Sequence, residues 1–269
     1  MAGSAIREPK KYFLYIDILG FGSLVIQNRV RDLYHRLDSL NAHTHPSFST
    51  IVFSDTIVIY NKDDRDWDES DKMALVSRLC EFAADLFYRL ISQDIHFRGY
   101  ICCGEFVHSK MQHIEAFYGR ALIHSYKREQ EIQCTGLFID SELVPYLRMF
   151  ESDKYDDSCH YVHLIEHLKG VSFEEDVYPV DRNIISSGNL AEFLAYDITY
   201  LKNIHAHMSD MGLLPRVRVK YLSAWQMIRK QHRTLLEVLE RNNFDPRALC
   251  KVDWGPIFAR VGSEQGLFE

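Results

Sequence analysis

Residues 11–22 read KYFLYIDILGFG, and this stretch decides how the chain begins to fold. Tyr12, Phe13, Leu14, Tyr15, Ile16, Ile18 and Leu19 form a nearly continuous apolar run rich in β-formers, the pattern of a strand covered on both faces. Asp17 interrupts it, and a carboxylate inside such a strand is costly unless something compensates it. Gly20 and Gly22 end the strand. From Ser23 the period becomes helical, with Val30, Leu33, Tyr34, Leu37 and Leu40 recurring on one side. The opening unit is strand, glycine turn, helix.

Working outward, residues 48–53 and 56–60 are two β-rich runs separated only by Ser54 and Asp55, which predicts a tight hairpin with Asp55 at its tip. The acidic residues 63–71 suit a solvated loop leading into a helix N-terminus. Residues 73–91 have helical periodicity, 97–106 read as strand, 119–130 as helix and 136–140 as strand. Asp140 or Ser141 is a candidate cap for a short helix toward Met149, and 161–165 and 177–180 are two last β-like runs. After Ser186, Ser187 and Gly188 the pattern changes to long helices. The order β-α-β-β-α-β predicts an α+β, ferredoxin-like split βαβ sheet with covering helices, spanning 11–185, and a C-terminal helical extension, 186–269.

The 269 residues are 46% hydrophobic and 26% charged, an ordinary globular composition. A net charge of −7 offers no general attraction for phosphate backbones or anionic lipid, so neither nucleic acid nor membrane is an expected partner. The six cysteines include no CxxC pair, which argues against a zinc ribbon and fits a reducing, cytoplasmic setting. The apolar run over 12–26 carries Asp17 at its middle and is shorter than a bilayer span.

Among residue types that carry chemistry, Cys159, His160, His163 and His167 have ligand character but sit in a strand-like segment that sends neighbours to opposite faces. His205 and His207 are two apart on a helix and do not face one another. Cys102 and Cys103 alternate across a strand and read as core. Arg216, Arg218, Lys220, Arg229, Lys230 and Arg233 suit a solvated helix. Asp17 and Asp55 stand apart: in a split βαβ sheet their strands are neighbours, so the two carboxylates are placed to share divalent cations. The alternative is that Asp17 caps the following helix and Asp55 is a turn former.

The segment YIDILGFGSL (15–24) resembles the F-x-D-I-x-G-F-[TS]-x-L opening of class III nucleotide cyclases, and VFSDTIVIY (52–60) resembles their I-G-D hairpin. FRGYICCGEF (97–106) is similar to the R-x-G-I-x-x-G strand, with Arg98, Ile101 and Gly104 in register. EAFYGRALIHSYKRE (115–129) resembles the W-G-x-x-V-N-x-A-x-R helix, and HLKGVSFEEDVYPV (167–180) the closing K-G hairpin. Order and spacing hold over roughly two-thirds of the chain. Within the family, F-S-D-T and G-x-A-L-I-x-x-Y are most similar to the pyrimidine cyclases of bacterial Pycsar anti-phage systems.

The resemblance implies that Asp17, the Ile18 carbonyl and Asp55 hold two Mn²⁺ or Mg²⁺ ions, and that Phe21 and Gly22 meet a nucleoside triphosphate through backbone N–H groups. It implies a homodimer with active sites at the interface, conversion of UTP or CTP to a 3′,5′-cyclic monophosphate, and a separate effector that responds to the product. Positions where purine cyclases carry polar base readers fall on Ile51 and Ala116, with Thr50 the neighbouring polar group. The family's transition-state Asn and Arg fall on Ile123 and Lys127, or on His124 and Arg128 after a one-residue slip; each pair is i, i+4 on one helix face. Lys127 is the expected catalytic cation. A catalytically silent nucleotide-binding module and a purine cyclase are the alternatives.

Overall fold

The computed structural model describes residues 10–171, 177–180 and 190–261. Strand β1 (Lys10–Ile18) is buried along its length apart from its first residue and half-buried Asp17, as its unbroken apolar run requires. It ends at Gly20, whose φ of 73° lies in the left-handed region, and the chain turns directly into α1 (Phe21–Ile26). The single predicted helix is two: Asn28 has a positive φ of 57° and separates α1 from α2 (Val30–Asp38), because a left-handed residue cannot continue a right-handed helix. A one-turn helix α3 (Asn41–Thr44) follows.

Strands β2 (Phe48–Phe53) and β3 (Thr56–Asn61) form the predicted hairpin. Ser54 occupies the positive-φ position of its two-residue tip. Helix α4 (Glu69–Ile91) leads to β4 (Phe97–Glu105), then β5 (Val107–Lys110), β6 (Glu115–Tyr118), α5 (Arg120–Glu131), β7 (Gly136–Asp140), β8 (Ser152–Lys154) and β9 (Cys159–Val162). Seven strands make one sheet in the order β2-β3-β1-β4-β7-β9-β8, while β5 and β6 pair separately. The β2-β3-β1-β4 core is antiparallel throughout, which is the expected ferredoxin-like split arrangement, and β7 joins β4 in parallel. The α+β class stands.

The short helix after β7 is a 3₁₀ segment, Ser141–Tyr146, containing Pro145, and stops before Met149. Neither expected cap operates: Asp140 is at the cap position without a side-chain cap bond, its carboxylate taken instead by the Tyr100 hydroxyl and by His124 Nε2 at 3.1 Å. Cys102 is core, but Cys103 is exposed, so only one of the pair follows the core reading. The strand predicted at 161–165 ends at Val162. Of the run 177–180, Val180 makes an isolated bridge to Cys250.

Residues of the chain group into two compact units. The first comprises Met1–Asp85, Phe97–Ile132 and Gly136–Val162 and contains the sheet. The second comprises Leu86–His96, Gln133–Thr135 and His163–Glu269, including helices α6 (Leu190–Ser209), α7 (Pro215–Gln231), α8 (Arg233–Arg241) and α9 (Gly255–Val261). The boundary expected near 186 lies outside the described residues. Residues 163–171 go with the helices because their side chains pack there: the His167 ring stacks on Phe193 at 4.3 Å, and its Nδ1 lies 3.6 Å from Asp197 Oδ2. No described helix is long and apolar enough to cross a membrane.

Candidate active site

Pairing of β1 with β3 sets Asp17 opposite Thr56, and the Ile18 N–H donates to the Asp55 carbonyl at 2.9 Å. The C-terminal end of a buried strand and a hairpin tip are thereby fastened together, each contributing a carboxylate at the same end of the sheet. Asp17 and Asp55 are both half-buried. Tyr15, whose hydroxyl lies 3.4 Å from Thr56 Oγ1, registers both acids: its pKa is raised first by burial, then by the charges of Asp17 and Asp55. Two hard oxygen donors on rigid backbone, partly open to solvent, fit a divalent cation that prefers carboxylate. The helix-cap alternative for Asp17 does not hold, since α1 begins without a side-chain cap bond and its cap residue is Gly20.

The compensation that a buried acid needs comes from Arg98 on β4, directly across from Asp17 in register. Its Nη2 is 3.7 Å from Asp17 Oδ2, it is ion-paired with Glu129 of α5, and its Nη1 donates to the Ile132 carbonyl at 2.5 Å. With only 3% of its side chain exposed, Arg98 is a buried cation between two carboxylates. Its planar fork serves both. The sequence signal was its place in the R-x-G-I strand; the partnership with Asp17 was not read from it.

Gly20, Phe21 and Gly22 follow immediately. As the first residues of a helix, Phe21 and Gly22 have N–H groups with no carbonyl a turn earlier to bond. A Cβ added at Gly22 meets nothing within 4 Å, so the space beside this turn is open.

Helix α5 settles onto β4 and β1 by a stripe of small or paired residues one turn apart: Ala121, Ser125 and Glu129 are its buried residues. Each has its counterpart on β4. A Cβ at Gly104 would come within 3.2 Å of the Ala121 Cβ, Ser125 Oγ lies 3.2 Å from Cys102 Sγ, and Glu129 pairs with Arg98. This seating gives the two candidate pairs on the helix different surroundings. Arg128 is tied to its own chain, donating to Asp156 Oδ2 at 2.6 Å and Glu131 Oε2 at 2.7 Å and lying over the Tyr100 ring at 5.8 Å. His124 is bonded to Asp140. Ile123 and Lys127 face outward and are exposed.

The proposed base-reading positions are not gathered in one strand or sheet. Ile51 is on β2, opposite Val58, whereas Ala116 is on β6 of the separate ribbon, opposite Ser109. Thr50 cannot sit beside Ile51 in one pocket, because successive strand residues point to opposite faces. Its Oγ1 is shielded from water without a hydrogen-bond partner. The closing hairpin of the resemblance, 167–180, falls partly on 172–176, outside the described residues; the described 167–171 are a 3₁₀ turn.

No family model matches this sequence, and no curated protein matches it. Solved structures do. The chain is similar to the adenylyl cyclase CyaB from P. aeruginosa, with 13% identity, 58% of this chain and 95% of that one covered, and a TM-score of 0.42. It is similar to the guanylyl cyclase domain of the RhoGC fusion protein from the aquatic fungus Blastocladiella emersonii, at 11% identity over 59% and 97% of the two chains with a TM-score of 0.41. A third is a class III adenylyl cyclase-like ATP-binding protein from Pseudomonas aeruginosa, at 15% identity over 53% and 35%, with a TM-score of 0.37.

Proposed function

We propose that this protein is a pyrimidine nucleotide cyclase that converts UTP, in preference to CTP, to the 3′,5′-cyclic monophosphate and pyrophosphate. The observation that carries the reading is the pairing of β1 with β3, which brings Asp17 and Asp55 to one end of the sheet beside an open glycine turn. In the reaction the ribose 3′-oxygen forms a bond to the α-phosphorus as it loses its proton to solvent water, and the bond from that phosphorus to the oxygen bridging to the β-phosphorus breaks, releasing pyrophosphate. Asp17, Asp55 and the Ile18 carbonyl would hold two Mn²⁺ or Mg²⁺ ions, whose chemistry would be to acidify the attacking hydroxyl and offset charge on the leaving group. Phe21 and Gly22 receive the triphosphate on their N–H groups. Arg98 orients Asp17 through their ion pair without touching substrate.

Lys127, exposed on α5 while Arg128 is engaged at home, is the cation free to reach a second protomer and steady the transition-state charge. The active unit is a homodimer in this reading. The pyrimidine preference rests on the resemblance, in which Ile51 and Ala116 replace the polar base readers of purine cyclases, and by the same resemblance the product signals to a separate effector in anti-phage defence.

Incubation with each of the four nucleoside triphosphates and Mn²⁺, followed by chromatography for a cyclic product, tests the reading. Cyclic UMP, and less cyclic CMP, is the expected result, abolished in a folded Asp55→Asn variant. Faster cyclisation of ATP or GTP overturns the pyrimidine assignment. Full turnover by Asp55→Asn overturns the metal site.

A further inference from the structure

Within the helical unit, residues far apart in sequence converge on a single carboxylate. Asp94 lies in the turn after α4, held in the left-handed region at φ 55°, with its N–H bonded to the Ile91 carbonyl at 3.0 Å. His96 Nε2 lies 2.9 Å from Asp94 Oδ1. His207, near the end of α6, brings Nε2 within 3.0 Å of Oδ1 and 2.8 Å of Oδ2. One ligand atom from each of the three lies within 4.8 Å of the others, the only such grouping of three His, Cys, Asp or Glu among the described residues.

We propose that Asp94, His96 and His207 form a binding site for one divalent transition-metal ion of the zinc and cobalt class, separate from the carboxylate site at Asp17 and Asp55. Donor chemistry chooses the ion: two imidazoles and one carboxylate suit Zn²⁺ or Co²⁺, whereas Mg²⁺ prefers oxygen alone. Ligands about 2.1 Å from a shared metal stand roughly 3.0–3.4 Å from one another; the carboxylate–imidazole separations of 2.8–3.0 Å are hydrogen bonds at or just inside that range, so an ion entering between the groups replaces those bonds with a small outward movement.

The rings are already held in place. Tyr221 stacks on His207 at 4.6 Å and meets His96 edge-on at 5.2 Å, and Tyr200 packs on His96 at 5.8 Å. Asp94 and His207 keep 43% and 27% of their side chains exposed, which leaves an approach for the ion and room for water to complete its coordination. Bound metal pins α6 to the turn at 92–96.

The test is titration of the full chain with Co²⁺ in excess Mg²⁺, read by visible d–d absorption. Asp94→Asn is the informative variant, because asparagine tolerates the left-handed conformation and the substitution removes charge without changing shape; His207→Gln is the second. One saturating equivalent is expected in the wild type and in Asp55→Asn, with affinity at least about 100-fold weaker in Asp94→Asn and His207→Gln. Zn²⁺ should raise the melting temperature of the wild type and leave that of Asp94→Asn unchanged. Absence of a Co²⁺ spectrum, or a spectrum indifferent to both substitutions, overturns the site and leaves a hydrogen-bonded Asp–His pair. Loss of binding in Asp55→Asn alone overturns it too, by placing the ion at the other carboxylates.

Discussion

Arg98 carries the heaviest electrostatic duty of any single residue near the candidate active site, buried between Asp17 and Glu129. Removing it strands two partly desolvated carboxylates. Arg98→Met is therefore expected to lower stability by about 3 kcal/mol in urea denaturation, and Arg98→Met combined with Glu129→Met to recover part of that loss. Arg128 acts in the same structural manner. Burial pushes the Asp156 carboxyl up, but the Arg128 guanidinium and the N–H and hydroxyl of Ser158 outweigh it and hold the group well below the usual carboxylate range. A depressed folded-state pKa gives stability that is present above the unfolded value near about 3.9 and lost as pH falls through the folded value. Asp156→Asn should thus melt below the wild type at pH 7, with the gap closing as the solution is acidified toward about pH 2; a gap independent of pH would mean the ion pair contributes nothing.

At the scale of elements, the entry to α5 and the first turn of α1 make opposite demands on glycine. Gly119 precedes α5 with φ 147°, and a Cβ there would stand 2.2 Å from the Glu105 carbonyl oxygen, so no side chain fits without moving the strand that α5 rests on. Gly119→Ala is expected to cost about 2 kcal/mol or more, measured by thermal or urea unfolding. Gly22 has no such neighbour. Gly22→Ala should leave stability within about 0.5 kcal/mol yet slow nucleotide turnover, since the added methyl intrudes on the space where the proposed triphosphate approaches. Unchanged turnover would remove Phe21 and Gly22 from the phosphate site. The contrast separates a glycine required by folding from one required by a ligand.

At the scale of the whole molecule, the outward face of α5 is the issue. Lys127 lies on the exposed side of a helix whose inner side is occupied by Ala121, Ser125 and Glu129, so its proposed catalytic role needs a second protomer. Asp55→Asn and Lys127→Ala proteins, each inactive alone, should then complement on mixing. About half of randomly exchanged dimers are mixed and hold one intact site each, giving recovery of about a quarter of wild-type activity. No recovery, with exchange confirmed by mass, would confine Lys127 to its own chain.

Much of this was legible in the one-dimensional pattern, for local reasons. The unbroken apolar run of β1, the glycines after it and the two-residue hairpin at Ser54 and Asp55 are written in periodicity and turn chemistry, which act between near neighbours, and the split order of strands then requires β1 beside β3. Even the break between α1 and α2 at Asn28 is a local event, though an asparagine tolerates either helical hand and so gave no warning. What the tertiary structure alone decided were partnerships across long stretches of chain: Arg98 with Asp17, Arg128 with Asp156, and Asp94 and His96 with His207. His207 read as a solitary histidine because helical spacing describes only its own helix. Which charged groups meet is set by how sheets and helices pack, and packing is a property of the folded chain rather than of any segment within it.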